Sequence, residues 1–168
     1  VDRDWDLEIG VTPDTLEEAF RHHPNAKAAV VVSPNYYGVA LDIPALAAVA
    51  HNHGVPLIVD AAWGGAFAFC DRLPQDALAA GADAQVCSIH KTMGSLAQGS
   101  AILANGGFID LQRLSLAYQL FETTSPSVPI LASVDTARRD LFAREGKSRA
   151  FDLLAKSRAA LLRRWAEP

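Results

Sequence analysis

The sequence SIHKTMGS, residues 88–95, follows directly on the apolar run AQVC at residues 84–87. The sequence DAAWGG, residues 60–65, follows the apolar run LIV at residues 57–59 in the same way. Short apolar runs that are separated by helix-length segments predict the strands of a buried, largely parallel sheet. Ligands bind beyond the carboxyl ends of the strands in such a sheet. The two segments therefore predict that an aspartate and a lysine meet at one ligand site.

The side chains expected at this edge have a specific chemical use. The Lys91 amine can form a Schiff base with an aldehyde cofactor, and the Asp60 carboxylate can keep a pyridinium nitrogen protonated, so that the ring accepts electrons. The Ser88 hydroxyl and the His90 imidazole can bind a phosphate group. Together they indicate pyridoxal 5′-phosphate (PLP). Each residue alone also has a simpler interpretation, because an aspartate after a strand is often a helix cap and a lysine is usually solvated.

Several short segments carry a family resemblance. They are PNYYG at 34–38, VDAAWG at 59–64, SIHKT at 88–92, TTSPS at 123–127 and PILAS at 129–133. In this order they resemble the major domain of the Orn/Lys/Arg decarboxylases, which belong to the fold type I (aspartate-aminotransferase-like) class of PLP-dependent enzymes. The resemblance implies decarboxylation of lysine, ornithine or arginine through a Schiff base on Lys91. The basic substrate is implied by the resemblance alone, because no residue in the sequence is an obvious reader of its side chain.

The resemblance also implies roles for the residues around the cofactor ring. Asp60 is expected to pair with the pyridine nitrogen, Ala62 to lie against one face of the ring, and Trp63 to turn its indole N–H toward the 3-hydroxyl group. A core aromatic is the alternative interpretation of Trp63. The resemblance places the loop with Tyr36 and Tyr37 at the active site, although two aromatic residues after a strand are packing residues as often.

The hydroxyl-rich loop TTSPS is a candidate second part of the site. In fold type I dimers the equivalent loop approaches the cofactor phosphate of the partner subunit. Thr124, Ser125 and Ser127 are therefore candidate ligands across the interface of a homodimer or higher homo-oligomer, and a helix-capping loop is the alternative. His90 is interpreted as a neighbour of the phosphate or of the Schiff base rather than as the general acid that protonates the α-carbon.

The length sets the expected domain organisation. At 168 residues the chain can form one domain with a sizeable core, but it is shorter than a complete enzyme of this family. Residues 1–145 are predicted to be the C-terminal portion of the PLP-binding large domain, and residues 146–168 a helix that would lead to a small domain, itself absent. The first half of the large domain, which supplies a phosphate-cradling helix N-terminus, is not found. Two alternatives stay open: another fold type I reaction of the aminotransferase or aldolase type, and a truncated fragment without catalysis.

Composition narrows the expected partners. The net charge of −4 leaves no basic stripe, which argues against nucleic-acid binding, and no apolar run is long enough for a membrane span. Cys70 and Cys87 lie in apolar surroundings without metal-type spacing, so we interpret them as buried free thiols, which favours a cytoplasmic compartment. The predicted partners are a small amino-acid substrate and further copies of the chain.

The predicted fold class is α/β, with a mostly parallel sheet, helices on both faces and a long C-terminal helix. Strands are expected at 28–32, 55–59 and 84–87, with an antiparallel return at 98–104. Helices are expected to begin at the caps Thr12 and Asp42, and a short helix is expected over residues 73–80. His51 and His53, near the end of the second helix, are expected to be solvated.

Overall fold

The computed structural model describes residues 9–144 and 149–166. The domain boundary predicted between residues 145 and 146 lies outside the described residues. Strands β1 to β4 span Ala29–Val32, Leu57–Asp60, Ala84–Ser88 and Ser100–Ala104. Helices α1 to α6 span Pro13–His22, Ile43–Asn52, Ile89–Thr92, Leu111–Phe121, Val128–Arg144 and Arg149–Ala166, and a 3₁₀ turn spans Phe67–Phe69.

The four strands form a sheet in the order β1-β2-β3-β4. β1 pairs with β2, and β2 with β3, in parallel, whereas β4 runs antiparallel beside β3. The register places Val32 beside Asp60 and Asp60 beside Val86, so the parallel strands end at the same edge. The predicted α/β class, the mostly parallel sheet and the antiparallel return are confirmed.

The hydrophobic core lies on one side of the sheet, against α1 and α2. Val31, Leu57 and Val59 belong to this core and are buried. Val30 and Val32, which alternate with the buried residues of β1, are 68% and 51% exposed. In the described chain these two side chains lie on the face of β1 that the core does not cover. Successive parallel strands that progress in one direction across a sheet have right-handed crossovers on the same face, and β1, β2 and β3 are ordered in this way.

The two helices of the core begin where the sequence predicts. The Thr12 hydroxyl accepts a hydrogen bond from the Thr15 N–H at 3.2 Å, and the Thr15 hydroxyl accepts one from the Thr12 N–H at 2.8 Å. Asp42 caps α2 by accepting from the Ala45 N–H at 3.1 Å. Because each cap fixes the first turn of its helix, it also determines which side chains face the sheet, such as the fully buried Leu46.

The helix predicted over residues 73–80 is not formed, and the segment consists of turns and irregular backbone. Asp76 Oδ1 accepts from the N–H groups of Leu78 and Ala79 at 3.1 and 3.4 Å. Asp76 Oδ2 accepts from Gln85 Nε2 at 2.7 Å. These bonds are those of an N-cap, and the Ala80 N–H donates to the Asp76 carbonyl at 2.8 Å, so a single turn forms after Asp76 instead of the predicted helix. The helix prediction is therefore wrong.

The histidines at the end of α2 have partners from other parts of the chain. His51 Nε2 lies 2.8 Å from Asp83 Oδ2, and the His51 ring stacks on Phe108 at a centroid distance of 4.6 Å. His53 Nε2 lies 3.0 Å from Glu17 Oε2. His51 is half-buried, so the expectation that it is solvated is wrong, whereas His53 is exposed as expected although Glu17 reaches its ring.

The C-terminal helices contact the region that follows β2. The Phe142 ring of α5 meets the Phe69 ring edge to face at 5.1 Å, and Asp152 of α6 pairs with Arg72 at 2.6 Å. The predicted long C-terminal helix is confirmed, because α6 spans Arg149–Ala166. In the described part of the chain, no helix combines the length and the apolar character that a membrane span requires.

Candidate active site at the carboxyl edge of the sheet

The structure places Asp60 and Lys91 at the same edge of the sheet. Asp60 is the last residue of β2 and lies beside Val86 of β3. The Ala61 N–H donates to the Val86 carbonyl at 2.9 Å, which continues the strand pairing past Asp60. The short helix α3 begins directly after Ser88, so Lys91 follows the end of the neighbouring strand within one turn. The aspartate and the lysine thus follow adjacent parallel strands at the same edge of the sheet.

The Asp60 carboxylate is ordered by its own turn. Asp60 Oδ1 accepts from the Ala62 N–H at 3.0 Å. Among the described residues, Asp60 Oδ2 has no hydrogen-bond partner, and Asp60 itself is exposed. The carboxylate therefore has a fixed orientation and one oxygen available for a ligand.

An aromatic cluster lies beside the lysine. Lys91 Nζ lies 4.7 Å from the centroid of the Trp63 ring, in a cation–π contact. Tyr36 meets Trp63 edge to face at 6.5 Å, and Tyr37 meets Tyr36 edge to face at 6.1 Å. Trp63 is 42% exposed, so in this structure it is a surface aromatic beside Lys91 rather than a core residue.

His90 is oriented by the backbone of the segment before β4. Its Nδ1 lies 2.9 Å from the Gly99 carbonyl oxygen, and its backbone N–H donates to the same oxygen at 3.2 Å. A carbonyl oxygen only accepts, so Nδ1 carries the proton. Nε2 is then the ring nitrogen available to a ligand. The sequence did not indicate Gly99, because its contribution is a backbone carbonyl.

Small residues allow the two loops of the site to pack closely. A Cβ atom on Gly65 would lie 3.0 Å from Met93 Sδ, and one on Gly64 would lie 3.1 Å from Pro34 Cδ. The turn after β2 therefore contacts the segments that follow β1 and α3. Ser88, at the start of α3, is half-buried and forms no side-chain cap, which leaves its hydroxyl available.

Asn35 orders the tyrosine loop and was not singled out from the sequence. Its Oδ1 accepts from the N–H groups of Tyr37 and Val39, both at 3.0 Å. An asparagine that follows a strand and precedes a glycine is a signal for such a turn. This signal was present in the sequence at residues 35–38.

The hydroxyl-rich loop lies between α4 and α5 and is exposed. The Ser125 N–H donates to Thr123 Oγ1 at 3.1 Å. In the described residues, no hydrogen bond joins Thr124 or Ser125 to Asp60 or Lys91. The structure therefore does not bring these two candidates to the site within one chain, and their role across an interface stays a prediction.

The thiol next to the site is held neutral. Burial, and to a smaller extent the carboxylates of Asp76 and Asp60, together raise the pKa of Cys87 to about 11. Because the thiolate is the reactive form, Cys87 is an inert core residue at neutral pH. Cys70 is also a buried free thiol, as predicted for both.

Comparison with known proteins identifies the family of the chain. The family model for the Orn/Lys/Arg decarboxylase major domain matches residues 7–164. The chain belongs to this family. The arginine decarboxylase of Bacillus subtilis (strain 168) is 38% identical over 154 residues, which cover 92% of this chain and 31% of that protein. The chain thus spans about a third of the length of that curated relative.

Two further comparisons concern a solved structure and a short local match in sequence. The structure of the E. coli constitutive lysine decarboxylase superimposes with a TM-score of 0.61 at 27% identity, over 90% of this chain and 22% of that chain. The fold is that of the fold type I PLP-dependent enzymes. A stretch of 38 residues is 66% identical to a PKHD-type hydroxylase of Synechococcus elongatus, and covers 23% of this chain and 17% of that protein.

Proposed function

We propose that this Orn/Lys/Arg decarboxylase family member takes part in the PLP-dependent decarboxylation of lysine, ornithine or arginine, with Lys91 as the cofactor attachment point. The observation that supports this most directly is the shared sheet edge, where Asp60 and Lys91 follow adjacent parallel strands and Trp63 contacts the amine. Arginine decarboxylases among the relatives support a basic substrate.

The donor set at this edge fits PLP. It offers an amine for the aldehyde group, a carboxylate oxygen for the pyridine nitrogen, and a half-buried hydroxyl and an imidazole nitrogen for the phosphate, from Lys91, Asp60, Ser88 and His90. When bound, PLP supplies an electron sink for the carbanion that loss of carbon dioxide creates.

Each residue has a defined task in this proposal. Lys91 binds the cofactor covalently, and the Asp60 carboxylate holds a proton on the ring nitrogen. Ala62 would lie against the ring, and Trp63 would donate its indole N–H to the 3-hydroxyl group. His90, whose Nδ1 donates to the Gly99 carbonyl, would be a neighbour of the phosphate or of the Schiff base.

A homodimer or higher homo-oligomer would complete the site. In this proposal Thr124 and Ser125 reach the cofactor phosphate of a partner subunit, which is consistent with their exposed position away from the Asp60 carboxylate of the same chain. The buried free thiols Cys70 and Cys87 support a cytoplasmic location.

Two other functions can be tested with the purified chain. An aminotransferase or aldolase reaction would use the same Asp60 and Lys91, and an assay of carbon dioxide release over a panel of amino acids distinguishes it. A chain without catalysis would release no carbon dioxide with any amino acid.

The decisive experiment is a visible absorption spectrum of the purified chain with PLP, followed by borohydride reduction and peptide mapping. We expect a new absorption band and a reduced adduct on Lys91. Lys91→Ala should lose both, whereas Lys27→Ala, which removes an exposed lysine before β1, should keep both. A band that persists in Lys91→Ala would contradict the proposed attachment point.

A further inference from the structure

A small cavity lies against the turn that follows β2. Its volume is about 20 Å³, and its lining includes Gln85 of β3, Ala61 and Gly64 of the turn, and Ser33 after β1. A cavity of roughly 10–15 Å³ is needed to hold one water molecule. This cavity therefore has room for one water.

Gln85 provides an acceptor in this cavity. The residue is 1% exposed, and among the described residues its Oε1 has no hydrogen-bond partner. Its Nε2 donates to Asp76 Oδ2 at 2.7 Å. This bond fixes the amide orientation, because the reverse orientation would place two acceptors against each other. An unpaired buried carbonyl oxygen destabilises the folded state.

Ser33 provides a donor. It is 6% exposed, and its Oγ accepts from the Leu41 N–H at 3.0 Å. Within the described residues, no acceptor takes the Ser33 hydroxyl proton. The cavity wall thus offers one free acceptor and one free donor, from two side chains that are each more than nine-tenths buried. A water molecule both donates and accepts, so it matches this pair.

We propose that the cavity binds one ordered water molecule, which donates to Gln85 Oε1 and accepts from the Ser33 hydroxyl group. The water joins β3 to the segment after β1 and lies against Ala61 and Gly64. These two residues flank the part of the turn that carries Trp63, so the water supports that turn from the core side. The site needs no cofactor, and its test is independent of PLP binding.

A high-resolution crystal structure of the chain tests the proposal. We expect one density peak within about 2.7–3.2 Å of both Gln85 Oε1 and Ser33 Oγ. Gln85→Met keeps the side-chain volume but removes the acceptor, and the peak should disappear. Gln75→Met is the matched control, since Gln75 also lines the cavity but donates to the Ala79 carbonyl at 3.1 Å, and here the peak should remain. The absence of a peak in the unmodified chain, or its persistence in Gln85→Met, would overturn the proposal.

Magnetic relaxation dispersion of water provides a second measurement in solution. The unmodified chain should show at least one long-lived internal water, and Gln85→Met should show one fewer than Gln75→Met. If Gln85→Met does not fold, the unmodified chain still decides the matter, because a count of zero is incompatible with the proposed site. Equal counts in the two folded variants would also refute it.

Discussion

Lys91 Nζ lies 4.7 Å from the centroid of the Trp63 ring, and the rings of Trp63 and Tyr36 meet edge to face at 6.5 Å. An ammonium group over an indole face gains about 0.5–1 kcal/mol at an exposed site. The two aromatic residues come from different loops, one after β1 and one after β2. The amine proposed to carry the cofactor therefore lies beside aromatic side chains from the loops that follow two neighbouring strands.

Replacement of Trp63 should weaken cofactor binding modestly. Trp63→Leu removes the indole N–H that we propose donates to the 3-hydroxyl group, a hydrogen bond of about 0.5–1.5 kcal/mol, so we expect the Kd for PLP to rise about two- to tenfold. Trp63→Phe keeps an aromatic ring but also lacks the N–H, so its Kd should rise by a similar factor. Absorbance titration with PLP measures the change, with Tyr118→Leu, at an exposed tyrosine of α4, as the control. Equal affinities for Trp63→Leu and Tyr118→Leu would show that the contact does not matter for binding.

Asp60→Asn should separate folding from catalysis. Asparagine keeps an oxygen that can accept from the Ala62 N–H, so the turn and the melting temperature should be unchanged. It cannot hold a proton on the ring nitrogen as a carboxylate does, and carbon dioxide release should fall by about 10²- to 10⁴-fold. Asp71→Asn, at an exposed aspartate, should retain full activity. A rate for Asp60→Asn within a few-fold of that control would refute the role of the carboxylate.

Asp83 should contribute strongly to stability. Its side chain is 9% exposed, and Oδ2 accepts from the Leu57 N–H at 2.8 Å and lies 2.8 Å from His51 Nε2. Asp83→Ala leaves the buried Leu57 N–H unpaired, so the free energy of unfolding should fall by about 1–3 kcal/mol. Urea denaturation measures this loss, and Asp71→Ala should change the free energy by less than about 0.5 kcal/mol. A loss for Asp83→Ala no larger than for Asp71→Ala would contradict the buried network.

Cys87 should make stability depend on pH in the alkaline range. Its folded-state pKa of about 11 lies above the ordinary value of 9.0, so folding favours the protonated thiol. The stabilisation is fully present below pH 9 and is lost as the pH rises through 11. We expect the unmodified chain to lose on the order of 1–2 kcal/mol more than Cys87→Ala over this range, allowing for partial solvent screening. Thermal unfolding from pH 8 to 11 measures the difference, and parallel curves would contradict it.

The sequence predicted the parts of the site that depend on local patterns. The apolar runs before Asp60 and Ser88 place these residues at strand ends, and the parallel order then places Lys91 on the same edge as Asp60. The caps Thr12 and Asp42 were also predicted, because each bonds to a backbone N–H three residues away. A sequence shows such short-range relations directly.

The tertiary structure decided which distant side chains meet. His51 pairs with Asp83, thirty-two positions away, and Asp76 accepts from the buried Gln85, nine positions away. It also decided that Val30 is exposed, because the crossovers lie on one face of the sheet. Local patterns fix backbone conformation through neighbouring residues, whereas partners and burial depend on how whole elements pack. The sequence alone therefore determined where Asp60 and Lys91 lie, and only the packing determined what surrounds them.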